Sequence, residues 1–155
     1  MKTSEQMSCI DDDMNTKFKD EKHRFLSNIV FTANWIKHRF EEFIKPFGIS
    51  PQQFNILRIL RGAKDWLSMN EVKDRMVEKS PNATRLCDKL LEKGLLERVR
   101  CEADRRMVHL RISQKGLDLL QEIDDVDEAT YANFKENVSD EEARLVTQIL
   151  DKLRS

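Results

Sequence analysis

The stretch SPNATRLCDKLLEKGLLERVRCEADRRMVHLRISQKG, residues 80–116, decides the fold of this chain. It predicts a helix, a β-hairpin and the start of another helix. Ser80 is a favourable N-cap with a proline in the first turn after it, and Gly94 is placed to end the helix. Two short strands follow, at about residues 97–100 and 107–112, separated by the charged loop CEADRR. A helix followed by a hairpin with a basic tip indicates a winged helix-turn-helix, whose helix can enter the major groove of DNA.

Helical periodicity extends this unit in both directions. Apolar residues keep helical spacing from about residue 16 to residue 46. The polar segment before them is expected to be loose or to be a frayed helix start. Capping boxes that begin at Ser50, Ser68 and Ser139 predict three further helix starts, and Ser113 predicts a fourth. We therefore predict a mainly α protein with a small β-hairpin wing. Residues 1–155 form one domain, in which a winged helix-turn-helix lobe spans about residues 50–112. Helices at about 16–46 and 113–155 form a dimerisation bundle.

Charge is unevenly distributed along the 155 residues, although the formal net charge is only −1. Residues 71–111 contain 11 basic and 8 acidic side chains, whereas residues 112–155 contain 5 basic and 11 acidic ones. The local electrostatic field matters more for DNA binding than the net charge of the whole chain, because charges are screened beyond roughly 8–10 Å at ordinary salt. The positive segment coincides with the predicted winged lobe.

These residues also carry a family resemblance. Together with ISPQQFNILRIL at residues 49–60, residues 80–116 closely resemble the multiple-antibiotic-resistance regulator (MarR) family. The family has a TRL-x-D-x-L-x-x-KGL recognition helix, a D-x-R wing and an L-T-x-x-G start to the next helix. Asp104 and Arg106 match the wing motif, and residues 113–116 match the helix start with serine for threonine. The resemblance implies a dimeric transcription regulator that binds DNA and is often tuned by a small ligand or by thiol oxidation.

We expect eight residues to serve DNA binding. Asn82, Thr84 and Arg85 lie in the first predicted turn of the recognition helix, where they suit adenine, a thymine methyl group and guanine. The alternative is that they are ordinary exposed helix residues. Phosphate contacts and the shape of the wing are assigned to Ser80, Lys89, Asp104, Arg105 and Arg106. In the family, the residue matched by Asp104 shapes the wing and the one matched by Arg106 reaches DNA.

Three arginines of the predicted strands leave two interpretations open. Arg98, Arg100 and Arg111 alternate along the strands, so they suit either DNA backbone contact or a solvated strand face.

The first long helix has more aromatic residues than one apolar stripe needs. Phe31, Trp35 and Phe43 lie off its main stripe and predict a ligand-binding site between this helix and the winged lobe. The expected ligand is a small aromatic or phenolic effector. A deeply buried core helix and a dimer seam are the alternatives.

No catalytic, metal or cofactor pattern stands out. The three cysteines are scattered: Cys9 precedes the long helix where thiol-sensing relatives place a reactive cysteine, Cys87 is expected to pack inside the recognition helix, and Cys101 lies on the wing. The three histidines lack metal-ligand spacing, and no glycine-rich phosphate loop occurs. We expect no enzyme activity, no cofactor and no metal. The absence of a signal peptide or a long apolar stretch predicts a soluble cytoplasmic protein without membrane contact.

The sequence therefore predicts a homodimeric, sequence-specific transcription regulator of double-stranded DNA, by default a repressor, on a pseudo-palindromic operator. Two alternatives are a winged-helix module that binds proteins and a thiol-based redox sensor. The face formed by Arg85, Lys89, Arg105 and Arg106 separates DNA from protein binding, because DNA needs a basic, solvated face and a protein partner needs apolar anchors.

Overall fold

The computed structural model describes residues 9–15, 17–77, 81–100 and 107–155, and gives residues 127–136 as backbone alone. The chain divides into two compact units, Met1–Pro46 and Phe47–Ser155. Five residues that the sequence singled out lie outside the described part of the chain, so their roles stay predictions: Ser80, Cys101, Asp104, Arg105 and Arg106.

The first unit consists of a short helix α1 (Ile10–Met14) and a long helix α2 (Glu21–Ile44). Asn15 ends α1 in the left-handed conformation, at φ 43°. The prediction that the long helix starts at about residue 16 is wrong by five residues. Asp20 is the N-cap, because its carboxylate accepts a hydrogen bond from the backbone N–H of His23 at 2.8 Å. The N-terminal segment, predicted as loose or as a frayed helix start, thus contains a separate short helix.

Five helices form most of the second unit: α3 (Pro51–Ala63), α4 (Met69–Arg75), α5 (Ala83–Glu92), α6 (Gln114–Asn137) and α7 (Asp140–Leu153). A 3₁₀ turn at Lys45–Phe47 precedes them. The capping boxes predicted at Ser50, Ser68 and Ser139 are confirmed, with both reciprocal hydrogen bonds present in each. Local side-chain chemistry therefore fixes the start of these three helices.

A three-stranded antiparallel sheet completes the winged lobe. Strands β2 (Leu96–Arg100) and β3 (Val108–Ile112) form the predicted hairpin, with Leu96 opposite Ile112. The two-residue strand β1 (Leu67–Ser68) pairs with β3, which gives the order β1-β3-β2. The sequence analysis did not predict β1, because two residues next to a helix cap carry no strand periodicity. The mainly α winged helix-turn-helix fold is confirmed.

The core of the second unit lies where α3 meets the sheet, α5 and α6. Large apolar side chains from each of these elements are fully buried: Ile56, Leu57, Leu60, Leu90, Leu110, Leu120 and Ile123. Gly94 ends α5 at φ 71°, as predicted. The serine predicted at the start of α6 is also confirmed, since the Ser113 hydroxyl accepts from the Gly116 N–H at 3.1 Å.

Two helices leave apolar side chains uncovered. On α7, Leu145, Val146, Ile149 and Leu153 are between 39% and 57% exposed. On α2, several apolar side chains are at least 38% exposed: Phe25, Leu26, Val30, Trp35 and Ile36. No helix in the described part of the chain is long and apolar enough to cross a membrane.

Candidate nucleic-acid interface

The recognition helix α5 starts later than the sequence suggested. It begins at Ala83, and Asn82 is its N-cap, whose carbonyl accepts a hydrogen bond from the Leu86 N–H at 3.0 Å. The predicted start at Ser80, with Pro81 inside the first helical turn, is therefore wrong, because Pro81 and Asn82 form a turn before the helix.

The late start changes the position of Asn82 but not of its neighbours. Asn82 lies just before the helix, whereas Thr84 and Arg85 remain in the first turn, where a recognition helix comes nearest to base edges.

One face of α5 is buried and the other is solvated. Ala83, Cys87 and Leu90 are completely buried, and they follow the three- and four-residue spacing of a helix face packed on a core. The opposite face exposes Thr84, Arg85, Asp88, Lys89 and Glu92. Burial of the first set fixes the rotation of the helix, so the three predicted contact residues on this face point into solvent.

Charge on the solvated face is divided into paired and unpaired groups. Asp88 pairs with Arg98 of β2, with 3.7 Å between Oδ1 and Nη1. Among the residues that the structure describes, neither Arg85 nor Lys89 has an ion-pair partner. The two cations, Arg85 in the first turn and Lys89 in the last turn of the helix, are therefore available to an external anion.

The structure separates the three strand arginines that the sequence could not distinguish. Cross-strand partners share a face of a sheet. Arg98 lies opposite Leu110 and Arg100 opposite Val108, so both share the face of the buried Leu110 and lie on the side of α5.

Arg111 lies on the other face of the sheet. It pairs with Glu97 at 2.5 Å, and its guanidinium stacks 4.6 Å from the centroid of the Trp66 ring. Arg100 is thus a candidate DNA contact that sequence reasoning left undecided. Side chains alternate between the two faces of a strand, and this period of two along β2 places Arg100 on the same face as Arg98.

Cys87 is confirmed as a packed residue of the recognition helix. Burial, and then the neighbouring Asp88 carboxylate, raise the pKa of its thiol to about 11. A thiol with so high a pKa is almost wholly protonated at neutral pH and is a poor nucleophile.

Cys9 occupies a different environment. It is the N-cap of α1, and its thiol donates to an Asp11 carboxylate oxygen at 3.1 Å. The sulfur also accepts a hydrogen bond from Arg24 of α2 at 3.3 Å. Sequence reasoning could not reveal this guanidinium contact, since 15 residues separate the two positions. Redox sensing at Cys9 stays a prediction.

The predicted aromatic trio is divided. Phe31 and Trp35 line a cavity of about 360 Å³ in the first unit, together with Ile10, Asp13, Asn28 and Thr32. Phe43 does not line it and instead lies against Phe40, with 6.1 Å between ring centroids. In the described residues, no group of three or more His, Cys, Asp or Glu side chains is arranged to hold a metal ion.

Comparison with known proteins agrees with this geometry. A family model described as MarR family matches residues 47–107, which contain the helix-turn-helix and the first strand of the hairpin. The HTH-type transcriptional regulator MhqR of Bacillus subtilis is 28% identical over 118 residues, 76% of this chain and 81% of MhqR. YsmB, an uncharacterised HTH-type transcriptional regulator of the same organism, is 29% identical over 119 residues, 77% of this chain and 81% of its own.

Solved structures show the same fold. A cysteine-to-serine mutant of MarR from E. coli, complexed with operator DNA, superposes with a TM-score of 0.71 at 22% identity, over 94% of this chain and 99% of MarR. The organohalide-sensing regulator RdhR, in its 2,4-dichlorophenol-bound form, gives a TM-score of 0.76 at 18% identity, over 99% of this chain and 88% of RdhR. Motifs, fold and family match agree in one respect: the winged helix-turn-helix lobe of this chain is similar to that of the MarR family, whose model matches residues 47–107.

Proposed function

We propose that the chain acts as a homodimer that binds a pseudo-palindromic DNA operator and represses transcription by occupying it. One observation carries the proposal. The solvated side of α5 presents two cations, Arg85 in the first turn and Lys89 in the last turn, opposite a completely buried face. A helix held in this way can enter the major groove without losing its packing on the lobe.

Base contacts are assigned to the start of α5. Arg85 suits a guanine, Asn82 an adenine and the Thr84 methyl group a thymine methyl. Each specific pair contributes about 1–3 kcal/mol of discrimination against the wrong base.

Backbone contacts are assigned to the cations beside the helix. Lys89 is exposed on α5 and Arg100 is exposed at the end of β2, and both suit phosphates. Ser80, Asp104, Arg105 and Arg106 keep the roles that the sequence predicts for them in phosphate contact and in shaping the wing.

The protein-docking alternative lacks apolar anchors on this surface. Among the described residues of α5, the solvated face consists of Thr84, Arg85, Asp88, Lys89 and Glu92, none of which is apolar. A protein interface would be expected to place aromatic or aliphatic side chains at its centre. DNA, whose phosphates require positive charge, fits this face better.

Dimerisation is supported by the uncovered apolar side of α7. Four large side chains on one helix face remain at least 39% exposed in the single chain. A second copy would cover them by a symmetric contact, in which the same surface serves both partners. Two recognition helices on one dimer then read two half-sites.

Modulation by a small ligand completes the proposal. The relative RdhR has been solved in a 2,4-dichlorophenol-bound form. For this chain we propose an effector that enters beside the aromatic residues of α2 and lowers operator affinity. A typical coupling free energy of about 1–3 kcal/mol between the effector site and the DNA site would lower the affinity for the operator by roughly 5–150-fold.

The decisive experiment is the selection of genomic DNA fragments by the purified protein, followed by sequencing and by fluorescence anisotropy on the enriched site. We expect an inverted repeat, bound at least about 10³-fold more tightly than random duplex of equal length. Arg85→Ala should reduce this ratio, whereas Arg111→Ala, on the other sheet face, should leave it unchanged. No enrichment, or equal affinity for selected and random DNA, would contradict the proposal.

A further inference from the structure

The solvated face of α5 carries no net charge. Within Ala83–Glu92 the exposed cations are Arg85 and Lys89, and the exposed carboxylates are those of Asp88 and Glu92. Asp88 lies three residues after Arg85, so the two side chains are neighbours on the helix surface. A carboxylate that enters the major groove needs a hydrogen-bond donor, because the phosphates are anionic and guanine, adenine and thymine all present acceptors there.

In the single chain the Asp88 carboxylate is paired with Arg98 of β2. Asp88 Oδ1 lies 3.7 Å from Arg98 Nη1, which is longer than a hydrogen bond. The side chain of Asp88 is 51% exposed and that of Arg98 is 42% exposed. A long contact between two solvated side chains is weak, so either group can leave it for a stronger partner.

The arginine–carboxylate pair on the other sheet face is held more firmly. Glu97 Oε2 accepts hydrogen bonds from Arg111 Nη2 at 2.5 Å and from Arg111 Nε at 3.2 Å. The same guanidinium stacks 4.6 Å from the centroid of the Trp66 ring. Of the two pairs, the one beside the recognition helix is therefore the one that can exchange partners.

We propose that Asp88 is a specificity-determining residue that exchanges Arg98 for a cytosine on the operator. The Asp88 carboxylate accepts a hydrogen bond from the N4 amino group of a cytosine near the guanine assigned to Arg85. The Arg98 guanidinium is thereby released and binds a phosphate. The inference rests on the function proposed above, because it requires α5 to enter the major groove.

The exchange discriminates between sequences because only one base suits a carboxylate. Cytosine presents its N4 amino group as a donor in the major groove, and aspartate and glutamate are the side chains that accept from it. On other sequences the carboxylate would face acceptors, so the Asp88–Arg98 pair stays closed. Arg98 then adds no phosphate contact, and binding to random DNA is weaker by that contact.

Fluorescence anisotropy titrations of the full chain test the exchange on the selected operator, on its single-base-pair variants and on random duplex. Replacing one cytosine of each half-site should lower wild-type affinity by about fivefold or more. Asp88→Asn should lose this preference, because an amide offers both a donor and an acceptor. The variant should bind random duplex about three- to tenfold more tightly, with a salt slope steeper by about one for each added phosphate contact.

Two further variants identify the released cation. Combining Asp88→Asn with Arg98→Ala should return the salt slope on random duplex to the wild-type value. Glu97→Gln is the matched control, because it removes the same charge from the pair on the other sheet face. It should change neither the cytosine preference nor the affinity for random duplex.

Three results would overturn the inference in variants whose circular dichroism is native. They are a cytosine preference that survives Asp88→Asn, a steeper salt slope that survives the added Arg98→Ala, and an equal gain in Glu97→Gln. A wild-type protein that prefers no DNA sequence would refute the proposed function and this inference with it. Selective operator binding that does not depend on Asp88 would refute this inference alone.

Discussion

Helices α5 and α7 are both strongly amphipathic, yet they use their apolar sides in opposite ways. On α5 the apolar side is completely buried at Ala83, Cys87 and Leu90. On α7 the large apolar side chains remain between 39% and 57% exposed. The same periodicity therefore produces a closed, rigidly held helix in one place and an open apolar face in the other.

The difference assigns a different kind of partner to each helix. The free surface of α5 is polar and carries the cations Arg85 and Lys89, which suit a polyanion. The free surface of α7 is aliphatic, and burying each such side chain contributes about 1.5–3 kcal/mol. A second chain with the same face is the partner that meets this requirement symmetrically.

The largest expected effect comes from placing a charge on the open face of α7. Ile149→Glu should prevent dimerisation, because an unpaired carboxylate would be buried in an aliphatic contact. Light scattering at micromolar concentration should then give the 18.3 kDa chain mass rather than about twice that value. Operator affinity should fall by roughly 10²–10⁴-fold, since the two half-sites no longer act together.

Gln148→Glu provides the control for this substitution. It adds the same charge at the adjacent position, outside the exposed apolar set of α7. The control should remain a dimer with normal operator affinity. A wild-type protein that is monomeric under these conditions would break the comparison between the two helices.

The next effect concerns the solvated side of α5. Arg85→Ala should cost about 1–3 kcal/mol of discrimination between operator and mismatched DNA. Arg100→Ala should weaken binding to all DNA sequences alike. It should also reduce the slope of log K against log salt concentration by about one. Titrations at several salt concentrations measure both quantities.

Arg111→Ala is the reference for these titrations, because Glu97 and Trp66 hold Arg111 on the other sheet face. It should change neither the discrimination nor the salt slope. Loss of salt slope in this variant would mean that the two sheet faces do not differ in DNA contact.

A smaller effect tests how tightly the lobe beneath α5 is packed. A Cβ added at Gly116 would lie 2.4 Å from the Leu95 carbonyl oxygen and 2.7 Å from Ile112 Cγ1. Because the first neighbour is backbone, Gly116→Ala should lower the free energy of unfolding by about 1–3 kcal/mol. Urea denaturation measures this loss.

Gly62→Ala should have the opposite sign. A Cβ at this position in α3 has no heavy-atom neighbour within 4 Å, and alanine is favoured over glycine in a helix by up to about 1 kcal/mol. Equal destabilisation by both alanines would show that the contact at Gly116 is not tight.

The smallest expected effect is a pH dependence at the start of α7. Hydrogen bonds from the Ser139 hydroxyl and then from its backbone N–H lower the pKa of Glu142 below the ordinary glutamate value. A lowered folded-state pKa contributes stability above the unfolded value, about pH 4.3. That stability is lost as the pH falls through the folded pKa.

Glu142→Gln should therefore be less stable than the wild type at neutral pH, and the gap should close below about pH 4.3. Thermal unfolding at several pH values measures this convergence. Glu141→Gln removes the same charge from the same turn and should leave the pH profile close to that of the wild type. A gap that stays constant down to acid pH would rule out the capping carboxylate as its cause.

Much of this fold was predictable, because its signals are local. Each capping box satisfies backbone N–H groups within one helical turn, so Ser50, Ser68 and Ser139 reveal helix starts without knowledge of the rest of the chain. Gly94 is equally local, since only the left-handed conformation at the helix end requires it. Two helix starts were misplaced: α2 begins after Asp20 and α5 after Asn82, each later than the sequence pattern indicated.

The candidate interface was only partly predictable, because some of its features depend on contacts between residues far apart in the chain. The exposure of Arg85 and Lys89 follows from the helical period. Separating Arg100 from Arg111, however, needs the register of β2 against β3 and the positions of Glu97 and Trp66. Phe31 and Trp35 line the cavity, whereas Phe43 does not. This difference likewise depends on Ile10 of α1, which belongs to the N-terminal segment.

The sequence by itself predicted most of the helices and the hairpin, because each depends on periodicity or on caps within a few residues. The roles of the α5 residues assigned to DNA stay predictions. Tertiary structure alone decided which apolar faces are covered, which arginines are held by carboxylates and which aromatic rings enclose a cavity. Those outcomes depend on contacts between residues far apart in the chain, and burial and charge pairing are properties of such contacts rather than of any local pattern.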